Sequence, residues 1–268
     1  MKIRPLGIYA LLYLVFLYLP VLFLPIFSFN DSAIVAFPLK GFTTRWYENL
    51  WSNEAMQGAL WNSLEVGIAT SVISTVLGIC GARALTRYRF PGKGGIAALI
   101  MLPLVLPEII VAISLLVVLL QLGFSLSLFS VILGHILMCV PFSIAVLSSS
   151  FEGFERSLEE ASLDLGEGPA MTFFRVTLPM VAPGILSSLL ITFTISLDEF
   201  IVAFFLSGTE PTLPVYIWSQ LRFPSRLPDV LALGSLLLVA SFFLLSVAEI
   251  MRRRAARRAG ASSTGGFL

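Results

Sequence analysis

Apolar residues fall into six runs of bilayer-crossing length, at roughly 8–29, 60–83, 95–120, 128–149, 181–206 and 229–250. A hydrocarbon core about 30 Å thick needs about 20 such residues per helix. With no water at that depth the backbone must bond to itself, so six such runs predict helices. The chain is therefore expected to be an all-α membrane protein with six transmembrane helices, forming one domain over residues 1–268. Composition agrees: 57% hydrophobic and 12% charged residues, with mean hydropathy +0.93, make a balance that no water-exposed globular surface tolerates. The net charge of +1 gives no electrostatic case for a nucleic acid partner.

Lys2 and Arg4 precede the first run, as in a secretory signal, but the run from Leu6 to about Phe29 is span-sized and lacks a small-residue cleavage site, so it reads as the first transmembrane helix. A cytoplasmic N-terminus leaves only Lys40, Arg45, Arg222 and Arg226 of the 17 Lys and Arg residues outside, which predicts that both termini are cytoplasmic. The tail "RRRAARR" is then a basic anchor against anionic lipid. Cys80 and Cys139 have no cysteine or histidine at metal spacing, so they read as small buried residues; no metal site is expected.

Two extracytoplasmic stretches look helical. In "TTRWYENLW" the i, i+4 pairs Trp46–Leu50 and Tyr47–Trp51 predict an amphipathic helix at the interface, and "PVYIWSQLRF" is too short to span. Inside the membrane three acids stand out: Glu108, preceded by Pro103 and Pro107, and the adjacent Asp198 and Glu199. An acid near a helix centre costs about 2.5–3.5 kcal/mol on insertion scales, so it marks a partner or a wet route. The two prolines predict a broken or kinked third span. On one continuous helix Asp198 and Glu199 point about 100° apart, and Asp198 is assigned to the pathway. No intramembrane Lys or Arg balances these acids, so a cationic ligand fits, with the Tyr18 ring as a cation–π partner. The alternative is that the acids are protonated or hydrogen-bonded and serve packing. Glu65 reads as a snorkelling residue near a span end, and His135 as an interhelical hydrogen-bonding group.

Between spans four and five lies a polar insert, residues 151–180, "FEGFERSLEEASLDLGEGPAMTFFRVTLPM". Leu158, Ala161, Ser162 and Leu165 alternate with Glu159, Glu160 and Asp164 at helical spacing. Gly166 suits a left-handed C-terminal cap and Pro169 the first turn of a second helix. Composition alone leaves a solvated loop and a docking element both open. The residues Glu160, Ala161, Ser162, Gly166, Val176, Leu178 and Pro179, however, resemble the EAA motif of ABC importer membrane subunits, with Ser162 for an alanine and Val176 for an isoleucine. That family implies a type I ABC importer permease fold in which this segment is the coupling helix, docking into a cytoplasmic ATPase subunit. "GFTTRWYENL", "RYRFPGKGG", "LPEIIVAISLLV" and "FTISLDEFIVAFFLSG" are similar to the second permease subunit of spermidine/putrescine importers.

The resemblance implies a bacterial inner-membrane transport subunit without enzymatic activity, its partners a homologous permease, two ATP-binding subunits and an extracytoplasmic solute-binding protein. It implies no cofactor on this chain, with ATP-Mg used by the ATPase. By the resemblance, Glu108 and Asp198 match positions where polyamine permeases carry acids, and Tyr18, Glu108, Asp198 and Glu199 are together expected on the substrate pathway. In agreement, no G-x-x-x-x-G-K-[ST], G-x-S-x-G or H-E-x-x-H motif is present; "PGKGG" has the wrong spacing. Two alternatives remain: the same role for an amino acid or opine-like solute, and a self-sufficient channel or secondary carrier.

Overall fold

The computed structural model describes residues 5–153 and 155–258, with side chains from residue 6 to residue 243. Lys2 and Arg4 lie outside the described residues, as do the side chains of the basic tail. All regular structure among the described residues is helical, apart from an isolated bridge between Asn30 and Phe42. In chain order the helices are α1 (Pro5–Ser28), α2 (Arg45–Trp51), α3 (Glu54–Arg87), α4 (Lys93–Val105), α5 (Glu108–Gln121), α6 (Leu128–Glu152) and α7 (Arg156–Asp164). There follow α8 (Pro169–Thr172), a π-helical turn (Phe173–Thr177), α9 (Leu178–Met180), α10 (Ala182–Asp198), α11 (Ile201–Leu206), α12 (Leu213–Gln220) and, after a 3-10 turn at Pro224–Arg226, α13 (Leu227–Arg258).

Among the described residues, four helices are long and apolar enough to cross a membrane. Two further pairs qualify when joined: α4 with α5, bent by 105°, and the α8–α9 segment with α10, bent by 68°, giving six crossings if each pair counts as one. The first bend follows from the prolines. Pro107 has no N–H to donate, and Leu106 is extended (φ −79°, ψ 145°), as a residue before proline tends to be.

The chain forms two compact units, residues 1–54 with 219–268, and residues 55–218. In the first, α1 packs along α13 and the loop after α1 folds over α2. Trp46 is buried and its indole N–H donates to the Asn30 carbonyl at 2.9 Å, while the Tyr47 and Ser28 hydroxyls share a 2.6 Å bond. The amphipathic helix expected from the spacing forms as α2. Trp46 and Leu50 turn into the protein, and Trp51, 77% exposed, is left at the surface.

The second unit is organised by small and hydroxyl-bearing side chains. α3 buries Ser63, Gly67, Thr70, Ser71, Ser74, Thr75 and Gly78; α10 buries Gly184, Ser188, Thr192 and Ser196, one per turn. Lipid is as apolar as leucine, so burying oil does not drive helices together in a bilayer; close approach and interhelical hydrogen bonds do. Ser188 Oγ lies 3.1 Å from Thr75 Oγ1 and 2.7 Å from Ser143 Oγ, joining α3, α6 and α10 at one point. An apolar cluster of Val66, Val111, Ala112, Leu119, Val131, Met138, Val202, Ala203 and Leu206 lies alongside. Cys139 is buried as expected, but Cys80 is exposed on the outward side of α3.

Gly78 makes the close approach testable. A Cβ there would collide with Ser143 Oγ and lie 2.7 Å from Ser143 Cβ, which is bonded to the backbone and cannot swing away. Gly78→Ala is expected to destabilise the detergent-solubilised protein by about 1–3 kcal/mol, the usual cost of overpacking. Gly94→Ala, with nothing within 4 Å of the new Cβ, should leave the melting temperature unchanged. Equal melting temperatures for the two variants would refute the tight crossing.

Candidate functional site

Two of the intramembrane acids sit at helix breaks. Glu108 is the first residue of α5, directly after Pro107, and its side chain is exposed. Asp198 is the last residue of α10, also exposed. The helix expected to run through both Asp198 and Glu199 is interrupted: Glu199 is extended (φ −70°, ψ 122°) and α11 begins at Ile201. The 100° separation expected on a continuous helix therefore does not apply.

Glu199 itself makes the break. Its Oε1 accepts the N–H groups of Ile201 (3.0 Å) and Val202 (3.1 Å), and its Oε2 those of Val202 (2.9 Å) and Ala203 (3.2 Å). The carboxylate thus satisfies the free donors at the start of α11, where an anion is favoured by the helix dipole. On its other side, His135 Nε2 lies 3.5 Å from Glu199 Oε2, and His135 Nδ1 is 2.7 Å from Ser196 Oγ. His135 is buried and links α6 to α10, which is the interhelical role expected of it.

The adjacent acids therefore have opposite surroundings. Glu199 rests on the positive end of a helix, whereas Asp198 lies at the C-terminal end of α10, among carbonyls with no onward helical donors. An exposed carboxylate there adds to a negative helix end, which is a cation-attracting combination. Glu108 opens α5, which packs on α11, the helix that follows Asp198: Val111 and Ala112 share an apolar cluster with Val202 and Ala203. Tyr18 lies on α1, in the first unit, with its ring exposed. Glu65 is exposed on α3.

The polar insert forms two limbs. α7 ends in a Schellman motif: the Glu167 N–H donates to the Ser162 carbonyl (3.2 Å), the Gly166 N–H to the Leu163 carbonyl (3.0 Å), and Gly166 has φ +91°. Pro169 then opens α8 as expected. Ser162, the departure from alanine, has its hydroxyl 3.0 Å from Thr172 Oγ1 and so ties the limbs together. Glu160 is exposed and pairs with Arg156 at 3.1 Å, and Ala161 is exposed; Val176, Leu178 and Pro179 follow along the π-helical turn and α9. No residue of α7 is buried, and Leu158, Leu163 and Leu165 face outward. Glu159, which sequence spacing does not separate from Glu160, turns inward to Thr177 and Arg87. Only its long-range partner distinguishes it.

The family described as binding-protein-dependent transport system inner membrane component matches residues 74–257. The chain is 36% identical over 264 residues to the putrescine transport system permease protein PotI of Escherichia coli (strain K12), covering 93% of each chain. It is 32% identical over 248 residues to the spermidine/putrescine transport system permease protein PotC of the same strain, covering 92% of this chain and 91% of that one. Among solved structures, a bacterial ABC transporter involved in import of the acidic polysaccharide alginate superposes with TM-score 0.73 at 17% identity, over 92% of this chain and 94% of its counterpart. The MetNI methionine ABC transporter, in an inward-facing conformation, superposes with TM-score 0.60 at 19% identity, over 76% of this chain and 98% of its counterpart.

Proposed function

The chain belongs to the binding-protein-dependent transport system inner membrane component family, and from that premise we propose that it forms one half of an ATP-driven import pathway for a polyamine, putrescine or spermidine. The observation that carries the substrate is the pair of exposed carboxylates, Glu108 and Asp198, at breaks in two spans that share a core. A polyamine ammonium entering the membrane must exchange its hydration for carboxylates and carbonyl dipoles, and helix breaks supply both. Tyr18, on α1, is assigned to the substrate pathway as an exposed aromatic ring of the kind that attracts an ammonium. Glu199, with its oxygens occupied by α11, acts by holding the break and presenting Asp198. The PotI and PotC names support this choice of cargo.

In this reading residues 1–268 work as a single permease domain in the bacterial inner membrane, with both termini in the cytoplasm. The partners are a homologous permease, two ATP-binding subunits that use ATP-Mg, and an extracytoplasmic solute-binding protein. The exposed face of α7 docks on an ATP-binding subunit through Glu160 and Ala161. Gly166, Ser162, Val176, Leu178 and Pro179 keep its two limbs bent. Closure of the ATP-binding subunits displaces α7, and the pathway reopens toward the cytoplasm.

Uptake of labelled putrescine and spermidine by the complex reconstituted in vesicles tests this. Saturable uptake that needs ATP, and that excess methionine or molybdate does not compete away, is expected. An assembled complex that hydrolyses ATP yet imports neither amine removes the polyamine and favours an amino acid or opine-like cargo. Import by this chain without ATP-binding subunits removes the permease role in favour of a channel or carrier.

A further inference from the structure

The last turns of α3 grip the polar insert at two places. Arg83 and Arg87, four residues apart, share a helix face. The Arg83 guanidinium stands 4.4 Å from the centroid of the Phe173 ring, and Arg87 Nε is 3.5 Å from Glu159 Oε2. The other oxygen of Glu159 accepts the hydroxyl of buried Thr177 at 2.6 Å. Phe173 and Thr177 are the first and last residues of the π-helical turn. One carboxylate thus touches three segments: α7, the π-helical turn and the end of α3.

The environment sets this contact apart from the other ion pairs of the insert. The side chains of Arg87 and Glu159 are only 14% and 15% exposed. Arg156–Glu160 and Arg175–Glu167 are far more open and join residues within the insert itself. Exposed pairs of that kind contribute little and connect no span. α7 buries none of its residues, so apolar packing does not fix its position. The polar contacts of Glu159 and Ser162 remain to do so. By chain connection alone, the insert leads only to α6 and α10.

We propose that Glu159 is a positioning residue that fastens α7 to α3 through Arg87, so that displacement of α7 by its docked partner also moves α3. This rests on the docking role given to α7 above. Its consequence is a third line of transmission, into the helix that meets α6 and α10 at Ser188.

The test is charge reversal within the complete complex in vesicles, using Glu159→Arg, Arg87→Glu and the double variant, with Glu159→Gln as the mild change that can still accept from Thr177. Two quantities are read: amine imported per ATP hydrolysed, and hydrogen exchange over residues 156–165. Each single reversal is expected to lower import per ATP about tenfold and to speed exchange in α7, and the double reversal to restore most of both, as for a directly coupled pair. Glu159→Gln should fall between. Single reversals with the wild-type ratio and exchange overturn the proposal. So does a double variant no better than the singles, the outcome expected if Glu159 met the ATP-binding subunit instead. A wild-type complex that imports no amine counts against the polyamine reading alone, because the exchange measurement still decides whether Arg87 fastens α7.

Discussion

Asp198→Asn is expected to reduce putrescine uptake at low concentration by about tenfold to a hundredfold, the equivalent of one charge-assisted hydrogen bond worth about 1.5–3 kcal/mol. Asparagine keeps the size and one acceptor of the side chain, so the change isolates charge. The effect is expected to be large because Asp198 sits at the carbonyl end of α10, where the helix already presents partial negative charge. Glu108→Gln should lower uptake less, since Glu108 opens α5 and part of its charge is offset by that helix's N-terminal donors. Initial rates across a concentration series separate a weakened half-saturation from a lower maximum. A change under twofold in Asp198→Asn, with the complex assembled, would remove this carboxylate from the pathway.

Glu199→Ala, one residue away, is expected to act on stability. It strips the acceptor from the N–H groups of Ile201, Val202 and Ala203 at once and leaves buried His135 facing an empty space. Losing a helix cap costs about 0.5–2 kcal/mol in water-soluble proteins. Here the Glu199 side chain is 9% exposed, and unsatisfied amides in a membrane interior find no substitute, so a loss of about 2–4 kcal/mol is expected. Thermal unfolding in mild detergent measures it, with Glu199→Gln intermediate because its amide oxygen still accepts. Asp198→Asn should melt with the wild type. An unchanged melting temperature in Glu199→Ala would show that water already serves those amides.

The contrast between these neighbours explains why one helix break was legible in the sequence and the other was not. Pro103 and Pro107 announce the first, because a missing donor and a fixed φ are local properties. No proline or glycine marks the second. It arises because a carboxylate competes for backbone donors ahead of it, a choice settled by the surroundings of Glu199. The cap at Gly166 and the restart at Pro169 were readable for the same local reason as the first break. Cys80 illustrates a different limit. In a bilayer the face toward lipid and the face toward the protein are both apolar, so hydropathy cannot separate them. The inward face of α3 is marked by Ser, Thr and Gly, and Cys80 lies off that stripe. Glu159 and Glu160 likewise look equivalent until Arg87, distant in sequence, singles out the first.

The bareness of α7 has a thermodynamic consequence. With no residue fully buried, this helix gains little free energy from apolar packing and is held to its own chain by the polar contacts of Glu159 and Ser162. A subunit docked on α7 as proposed would by mass action add to the stability of this segment, by about 1.4 kcal/mol for each tenfold increase in its free concentration above its dissociation constant. On the docking proposed for α7, joining a complex reinforces a helix that the chain already forms, to a degree set by the stoichiometry in which the subunits are made.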